Sequence, residues 1–390
     1  MNLILKVTIA LAVGFIGGKF IGILKLPNVS GYLLIGVLLG SSFFNIISPE
    51  DIEVLEVISE LALAFIAFNI GSEFVIKEIK KFGRKIFWIT LGEVIGAILL
   101  VFSVMYFVFR QDFPFSIVIA SMSAATAPAA TLLVIRQYQA KGPLTKTILP
   151  VVALDDILGI IAFGIALALA KVSISGESLS VISLILSIGG EIFGSILLGF
   201  VLGLILTISV KKLQSHDDYQ IASLIAIGLG MGISTALGLS PLLTNIVIGT
   251  TLVNLVPRTD RVFGSVNNFV PAFYVLFFTL AGASLELGIL RQIGLIGTAY
   301  VLARGFGKYI GSYIGSTYVK AEDVVKKYLG FALLPQGGIS IGLLILVRQQ
   351  MPEYAAAITT IIMFSILIYE TSGPIFSKYA LKKSGEIKEQ

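Results

Sequence analysis

Leu149-Pro150-Val151-Val152-Ala153-Leu154-Asp155-Asp156-Ile157-Leu158-Gly159-Ile160-Ile161 places two adjacent aspartates inside a segment that is otherwise apolar from Ile148 to Ala170. A run of that length is enough to cross a bilayer, which takes about 20 residues of helix. Each ionised carboxylate held at membrane depth costs about 2.5–3.5 kcal/mol on insertion scales. Two side by side also repel each other. A chain keeps such a pair when something positive binds there, and a small cation and a proton are the simplest candidates. The plainer alternative puts the aspartates at a helix end among headgroups. The apolar residues that continue on both sides of the pair argue against it.

The rest of the chain fits that reading. Of its 390 residues 56% are hydrophobic and only 13% are charged, with a mean hydropathy of +0.97. A soluble domain carries about 25% charged residues, so this is a polytopic membrane protein with all-α architecture. There is no cysteine, which leaves redox compartment open. The net charge of +5 is not a nucleic-acid signal, because in a membrane protein what counts is where the positive charges fall. The first apolar segment has no small-residue cleavage site at its end and reads as a retained span.

Thirteen apolar segments have spanning length, approximately 3–24, 29–48, 54–75, 86–109, 114–136, 145–170, 180–210, 218–237, 240–256, 265–286, 289–318, 325–347 and 354–381. When the loops between them are numbered alternately, twenty of the 28 Lys and Arg residues fall in one set. The other set holds only Arg110, Lys171, Arg291 and Arg348, and four more cations lie inside segments. That asymmetry puts the C-terminus in the cytoplasm and the N-terminus outside, in the cell (inner) membrane.

An internal repeat is also visible. Phe68-Asn69-Ile70-Gly71-Ser72-Glu73-Phe74 in the third segment matches Phe278-Thr279-Leu280-Ala281-Gly282-Ala283-Ser284-Leu285 in the tenth. The second and ninth segments share Pro27 with Gly36 and Pro241 with Gly249. The offset of seven segments is odd, so the copies run in opposite senses, the pattern of secondary transporters.

Three further stretches carry chemistry. Ser121-Met122-Ser123-Ala124-Ala125-Thr126-Ala127-Pro128-Ala129-Ala130-Thr131 is small and polar, with a mid-span proline that either breaks the helix or simply kinks it, the broken helix being the expectation. Its freed carbonyls, with the Thr126 and Thr131 hydroxyls, would help line a cation path. Leu334-Pro335-Gln336-Gly337-Gly338-Ile339-Ser340 offers a second interruption in the other half. Two interrupted helices point to a transport site, with half-helix dipoles near Asp155 and Asp156. Arg304 and Lys308 are four residues apart on one helix face, and Asp155 and Asp156 are their natural counter-ions. Lysine can give up its proton when desolvated, whereas arginine stays charged and can only hold structure or bind anions. Among lesser candidates, Glu370 suits a structural hydrogen bond, Glu73 the membrane edge, and Glu93 and Glu191 accessory sites or a partner for Lys19. His216 reads as a solvated loop residue.

The Leu-Asp-Asp-Ile-Leu-Gly run at 154–159, the Gly-Lys-x-x-Gly run at 307–311 and the Pro-Gln-Gly run at 335–337 resemble the cation:proton antiporter superfamily, and within it the NapA-like Na⁺/H⁺ antiporter branch. The resemblance covers nearly the whole chain. It implies inverted repeats with two crossing broken helices, the fifth and twelfth spans. It also implies a dimerisation domain at 1–85 and 218–286, a core ion-binding domain at 86–170 and 289–381, a linker helix at 180–210 and a cytoplasmic tail at 382–390. The implied main ligand of Na⁺ and proton is Asp156, and Asp155 is implied to pair with Lys308. A homodimer and an elevator-like movement of the core are implied as well. The chain departs from relatives in carrying Arg304 together with Lys308, so either cation can be the salt-bridge partner. It also has Gly338 where some members carry a glutamate.

The expected function is therefore secondary exchange of Na⁺ or Li⁺ for H⁺, with membrane lipid as surroundings and neither cofactor nor nucleic acid involved. K⁺/H⁺ exchange, or a Kef-like K⁺ efflux system, is the alternative. An intramembrane aspartyl protease needs two carboxylates facing each other from separate helices, whereas neighbours on one helix point about 100° apart. A pure channel would not explain the repeat.

Overall fold

The computed structural model describes residues 2–23, 28–72, 74–127, 131, 134–135, 138–175, 181–213, 215–257, 259–285 and 287–387. Every regular element among them is a helix. In chain order these are α1 (Leu3–Ile23), α2 (Asn28–Leu39), α3 (Pro49–Val54), α4 (Glu56–Gly71), α5 (Ile76–Ser103, running on into a π-turn over Val104–Val108), α6 (Phe113–Met122), α7 (Pro143–Ser175), α8 (Val181–Lys212) and α9 (His216–Ala236). There follow α10 (Pro241–Leu255), α11 (Asp260–Asn267), α12 (Val270–Ala283), α13 (Leu287–Tyr318), α14 (Asp323–Ala332), α15 (Gly338–Gln350) and α16 (Pro352–Lys383).

Helix starts are set locally. The Asp112 carboxylate accepts from the Phe115 amide at 3.2 Å, and Ser240 caps α10 with Pro241 at its first position. In α5 the chain kinks at Gly83, whose φ of 69° suits glycine.

Several expected spans are shorter as helices than the apolar runs that suggested them. Among the described residues six helices are long and apolar enough to cross a membrane: α1, Gly83–Val108, Pro143–Ile174, Gly189–Lys212, α9 and α16. α11 and α12 together form a seventh candidate, bent by 52°. That bend falls inside the segment read as continuous over 265–286. α2, α6, α10 and Ile339–Gln350 are shorter apolar helices. Hydropathy counts apolar length, whereas helix length follows the hydrogen-bond ladder, and prolines, glycines and polar residues stop the ladder inside apolar runs.

The chain divides into two compact units. One comprises 1–11, 49–81 and 179–280, the other 12–48, 82–178 and 281–390. In the first unit α10 packs on α4 and α8, and a core of Phe65, Phe68, Ile227, Leu252, Val262 and Phe263 fills the interior. In the second unit α7 packs on α6 and α14, and α13 on α14 and α16.

Glycines allow close helix contacts in both units. In the first unit, a Cβ on Gly249 would lie 3.1 Å from Gly71 Cα. In the second, a Cβ on Gly282 would lie 3.0 Å from Gly36 Cα. The carbonyl three residues past each of these third- and tenth-segment glycines is also held by a side chain: Asn254 Nδ2 donates to Phe74 O at 2.8 Å, and Ser42 Oγ to Leu285 O at 2.6 Å. α5 and α13 meet in the same way. A Cβ on Gly96 would stand 2.6 Å from Gly311 Cα, and one on Gly307 2.7 Å from Gly96 O.

A buried ion cluster at two interrupted helices

The two interruptions and the charged cluster between them lie in the second unit. α6 stops at Met122 and α14 at Ala332, and each is followed by a non-helical stretch. The two stretches meet where the Ala127 amide donates to Pro335 O at 3.0 Å. A helix that ends inside a protein leaves carbonyls without partners, and the C-terminal end carries a negative partial charge. Arg304, fully buried on α13, answers both. Its Nε donates to Ser123 O at 3.1 Å, Nη1 to Leu334 O at 2.6 Å, and Nη2 to Ala125 O at 2.7 Å and Pro335 O at 3.3 Å. The guanidinium also lies 4.7 Å from the centre of the Tyr369 ring. Arg304 is thus bonded to carbonyls of both broken helices rather than to Asp155 or Asp156, the counter-ions expected for it. The planar five-donor group fits several fixed carbonyls at once.

Lys308, one turn further along α13, takes the carboxylates. Its Nζ donates to Glu93, to Ala124 O at 2.5 Å, to Thr126 Oγ1 at 2.7 Å and to Asp155 Oδ2 at 3.3 Å. The Thr126 hydroxyl in turn donates to Asp155 Oδ2. Lys308, Glu93 and Asp155 are all without solvent exposure, and Asp156 is 3% exposed. The glycine seam between α5 and α13 is what lets Glu93 reach Lys308. Sequence reasoning offered Glu93 to Lys19, but Lys19 is exposed and lies over Phe15 at 5.5 Å. The available signal was the run of glycines at 92 and 96 facing those at 307, 311 and 315, which brings the two helix backbones together.

Of the carbonyls freed in the first interruption, three already have donors from Arg304 or Lys308, and so do two in the second. Ser123, Ala125, Leu334 and Pro335 are held by Arg304, and Ala124 by Lys308. The Thr131 hydroxyl bonds to Ala332 O at 2.8 Å and Ser377 Oγ at 2.9 Å, so it ties helices together rather than facing the aspartates. Gln336 Nε2 lies 3.2 Å from Tyr300 Oη and 3.1 Å from Ser340 Oγ, and Ser365 Oγ donates to Gln336 Oε1 at 2.7 Å. Tyr300, Ser365 and Tyr369 carried no marker in the sequence. Gly337 is buried beside Ala127. The structural hydrogen bond expected for Glu370 is absent at one oxygen: Oε2 is buried with no hydrogen-bond partner among the described residues. Pro128 and Glu73 lie outside the described residues. His216 is exposed, as expected of a solvated residue, with Nε2 2.8 Å from Asn268 Nδ2.

A buried ammonium shared by two carboxylates, next to a second aspartate and between two interrupted helices, is the arrangement of an ion-coupled membrane transporter. The chain belongs to the family described as sodium/hydrogen exchanger, transmembrane, whose model matches residues 7–378. The resemblance to the cation:proton antiporter superfamily holds, and the family is one of ion antiporters rather than enzymes. Similar proteins include the high-affinity Na⁺/H⁺ antiporter NhaS3 of Synechocystis sp., 25% identical over 84% of this chain and 78% of that protein. The Na⁺/H⁺ antiporter NhaS4 of the same organism is 23% identical over 94% and 95%. The K⁺/H⁺ antiporter subunit KhtU of Bacillus subtilis is 22% identical over 87% and 84%. The fold matches that of the sodium proton antiporter MjNhaP1 from Methanocaldococcus jannaschii at pH 8, with a TM-score of 0.81, 19% identity and 98% of each chain covered.

Proposed function

We propose that the chain exchanges Na⁺ or Li⁺ for protons, with cation and protons competing for Asp155 and Asp156. The observation that carries the proposal is the position of Lys308 between Asp155 and Glu93, beside the Thr126 hydroxyl. An arriving cation weakens the Lys308–Asp155 pair and gathers carboxylate and hydroxyl oxygens, which hard cations prefer. Lys308 keeps Glu93 as counter-ion meanwhile. Protonation of the aspartates expels the cation and completes the exchange. Two aspartates and a titrating lysine can bind two protons per Na⁺, which makes the exchange electrogenic.

The wider architecture belongs to the same proposal: thirteen spans, the N-terminus outside, inverted repeats, a homodimer, and an elevator-like movement of a core holding 86–170 and 289–381. The repeat is supported by its glycines. Gly36 corresponds to Gly249 and Gly71 to Gly282, and each segment of one copy packs against the non-equivalent segment of the other. K⁺/H⁺ exchange is the second reading, favoured by the similarity to KhtU.

The test is cation-driven proton flux in proteoliposomes, with Na⁺, Li⁺ and K⁺ supplied separately. Flux driven by Na⁺ or Li⁺ and lost in Asp156→Asn is the expected result. Flux driven by K⁺ alone moves the chain to the second reading, and no flux with any of them across a range of pH removes both.

A further inference from the structure

Among the described residues, six charged side chains are buried: Glu93, Asp155, Asp156, Glu370, Arg304 and Lys308. Four can be negative and two positive, so with all of them ionised the interior lacks two positive charges. The scheme above places its protons and cation on the aspartates and leaves Glu370 out.

Glu370 sits on α16, 3% exposed, at the crossing of the two interrupted helices. A Cβ built on Gly337 would lie 2.7 Å from Glu370 Oε1 and 3.0 Å from Ala127 Cβ. The carboxyl therefore adjoins Gly337, which caps the start of α15, and Ala127, whose neighbour Thr126 donates to Asp155. Arg304 and Glu370 thus both lie at the crossing.

Among the described residues no surrounding cation is committed to Glu370. From α13 the facing groups are Arg304, bonded to four carbonyls, and Lys308, bonded to Glu93 and Asp155. From the stretches that follow α6 and precede α15 the facing positions are Ala127 and Gly337. α15 carries Arg348 only in its last turn, α14 carries Asp323, Lys326 and Lys327, none of them buried, and α2 carries only Tyr32. A buried carboxylate with an unpartnered oxygen and no dedicated cation is expensive. A proton on that oxygen, or a transported cation nearby, removes the cost.

We propose that Glu370 is a proton-carrying group of the exchanger, separate from the aspartate pair. Its carboxylic O–H bond breaks as the cation enters, and the proton leaves to water. The cation's charge then compensates the carboxylate, and a proton from water restores the acid when the cation leaves. The proposal rests on the exchange reading for its cycle, but not for the ionisation of Glu370 itself.

The experiment is infrared difference spectroscopy on the lipid-reconstituted full chain, paired with the proton-to-cation ratio from reversal potentials. Adding the driving cation removes a carboxylic C=O band of Glu370 in wild type, in addition to any band lost by the aspartates. That band is missing in Glu370→Gln and shifted but present in Glu370→Asp, and the ratio falls by one proton in Glu370→Gln. A difference spectrum identical to wild type, or an unchanged ratio, overturns the proposal. If wild type shows no cation-driven flux, the exchange reading fails. A pH titration of the same band without any cation then decides whether Glu370 ionises, and a band that stays constant overturns the proposal.

Discussion

Arg304 and Lys308 lie one turn apart on α13 yet have different jobs, because one is a rigid fork and the other a point charge. An ammonium in place of the Arg304 guanidinium has three donors and no planar fork, so it leaves carbonyls of the two broken helices unpaired. Each buried polar group left unmade costs about 1–3 kcal/mol. Arg304→Lys should therefore lower stability by about 3 kcal/mol, read as a lower melting temperature in detergent; a melting temperature equal to wild type would contradict its role as a cap for both helices. Glu93 shares Lys308 with Asp155. With Glu93→Gln the lysine has one anionic partner left, pairs more tightly with Asp155 and resists displacement. The half-saturating Na⁺ concentration should rise about tenfold, equivalent to about 1.4 kcal/mol. An unchanged value would mean that Glu93 only neutralises charge from a distance.

At the scale of elements, two contacts control the helices that carry the cluster. α7, the aspartate helix, starts at Pro143, and its first free amides are capped by the Glu386 carboxylate: Leu144 N to Oε1 at 2.6 Å, Thr145 N to Oε2 at 2.8 Å and Thr145 Oγ1 to Oε2 at 2.6 Å. Removing such a cap costs about 0.5–2 kcal/mol. Glu386→Ala should lower the melting temperature, and so should Gly142→Ala, whose new Cβ would stand 2.5 Å from Glu386 Cγ. Stability unchanged in both variants would mean that the cap adds nothing to α7. The α5–α13 seam is the second contact. Gly311→Val would drive its side chain into the Gly92 and Gly96 backbone and part Lys308 from Glu93. Cation-driven flux should fall to background in a chain that is still inserted in the membrane, and wild-type flux would show the seam to be dispensable.

At the scale of the whole molecule, the testable property is orientation. The charge asymmetry of the loops assigns Lys320 to the cytoplasmic side and Lys171 to the opposite one. Both side chains are exposed, and the chain has no cysteine of its own. Single substitutions Lys320→Cys and Lys171→Cys should therefore be modified by a membrane-impermeant thiol reagent from opposite sides of sealed vesicles. Modification of both from the same side would break the alternation of thirteen spans.

The sequence by itself determined the class of the molecule and most of its chemical cast. Membrane solvation is a property of composition, so apolar length and loop charge could be read directly. The aspartate pair, Lys308 and both interruptions stood out because charge and proline are costly inside an apolar run. What only the tertiary structure decided was pairing. Whether a carboxylate meets a given cation depends on distances set by helix packing, and those depend on which backbones can approach. The glycine seam brought Glu93 to Lys308 rather than to Lys19, and the two helix ends drew Arg304 away from the aspartates. Thr131 changed its role for the same reason: a hydroxyl acquires its function from the partners that the fold brings within about 3 Å of it.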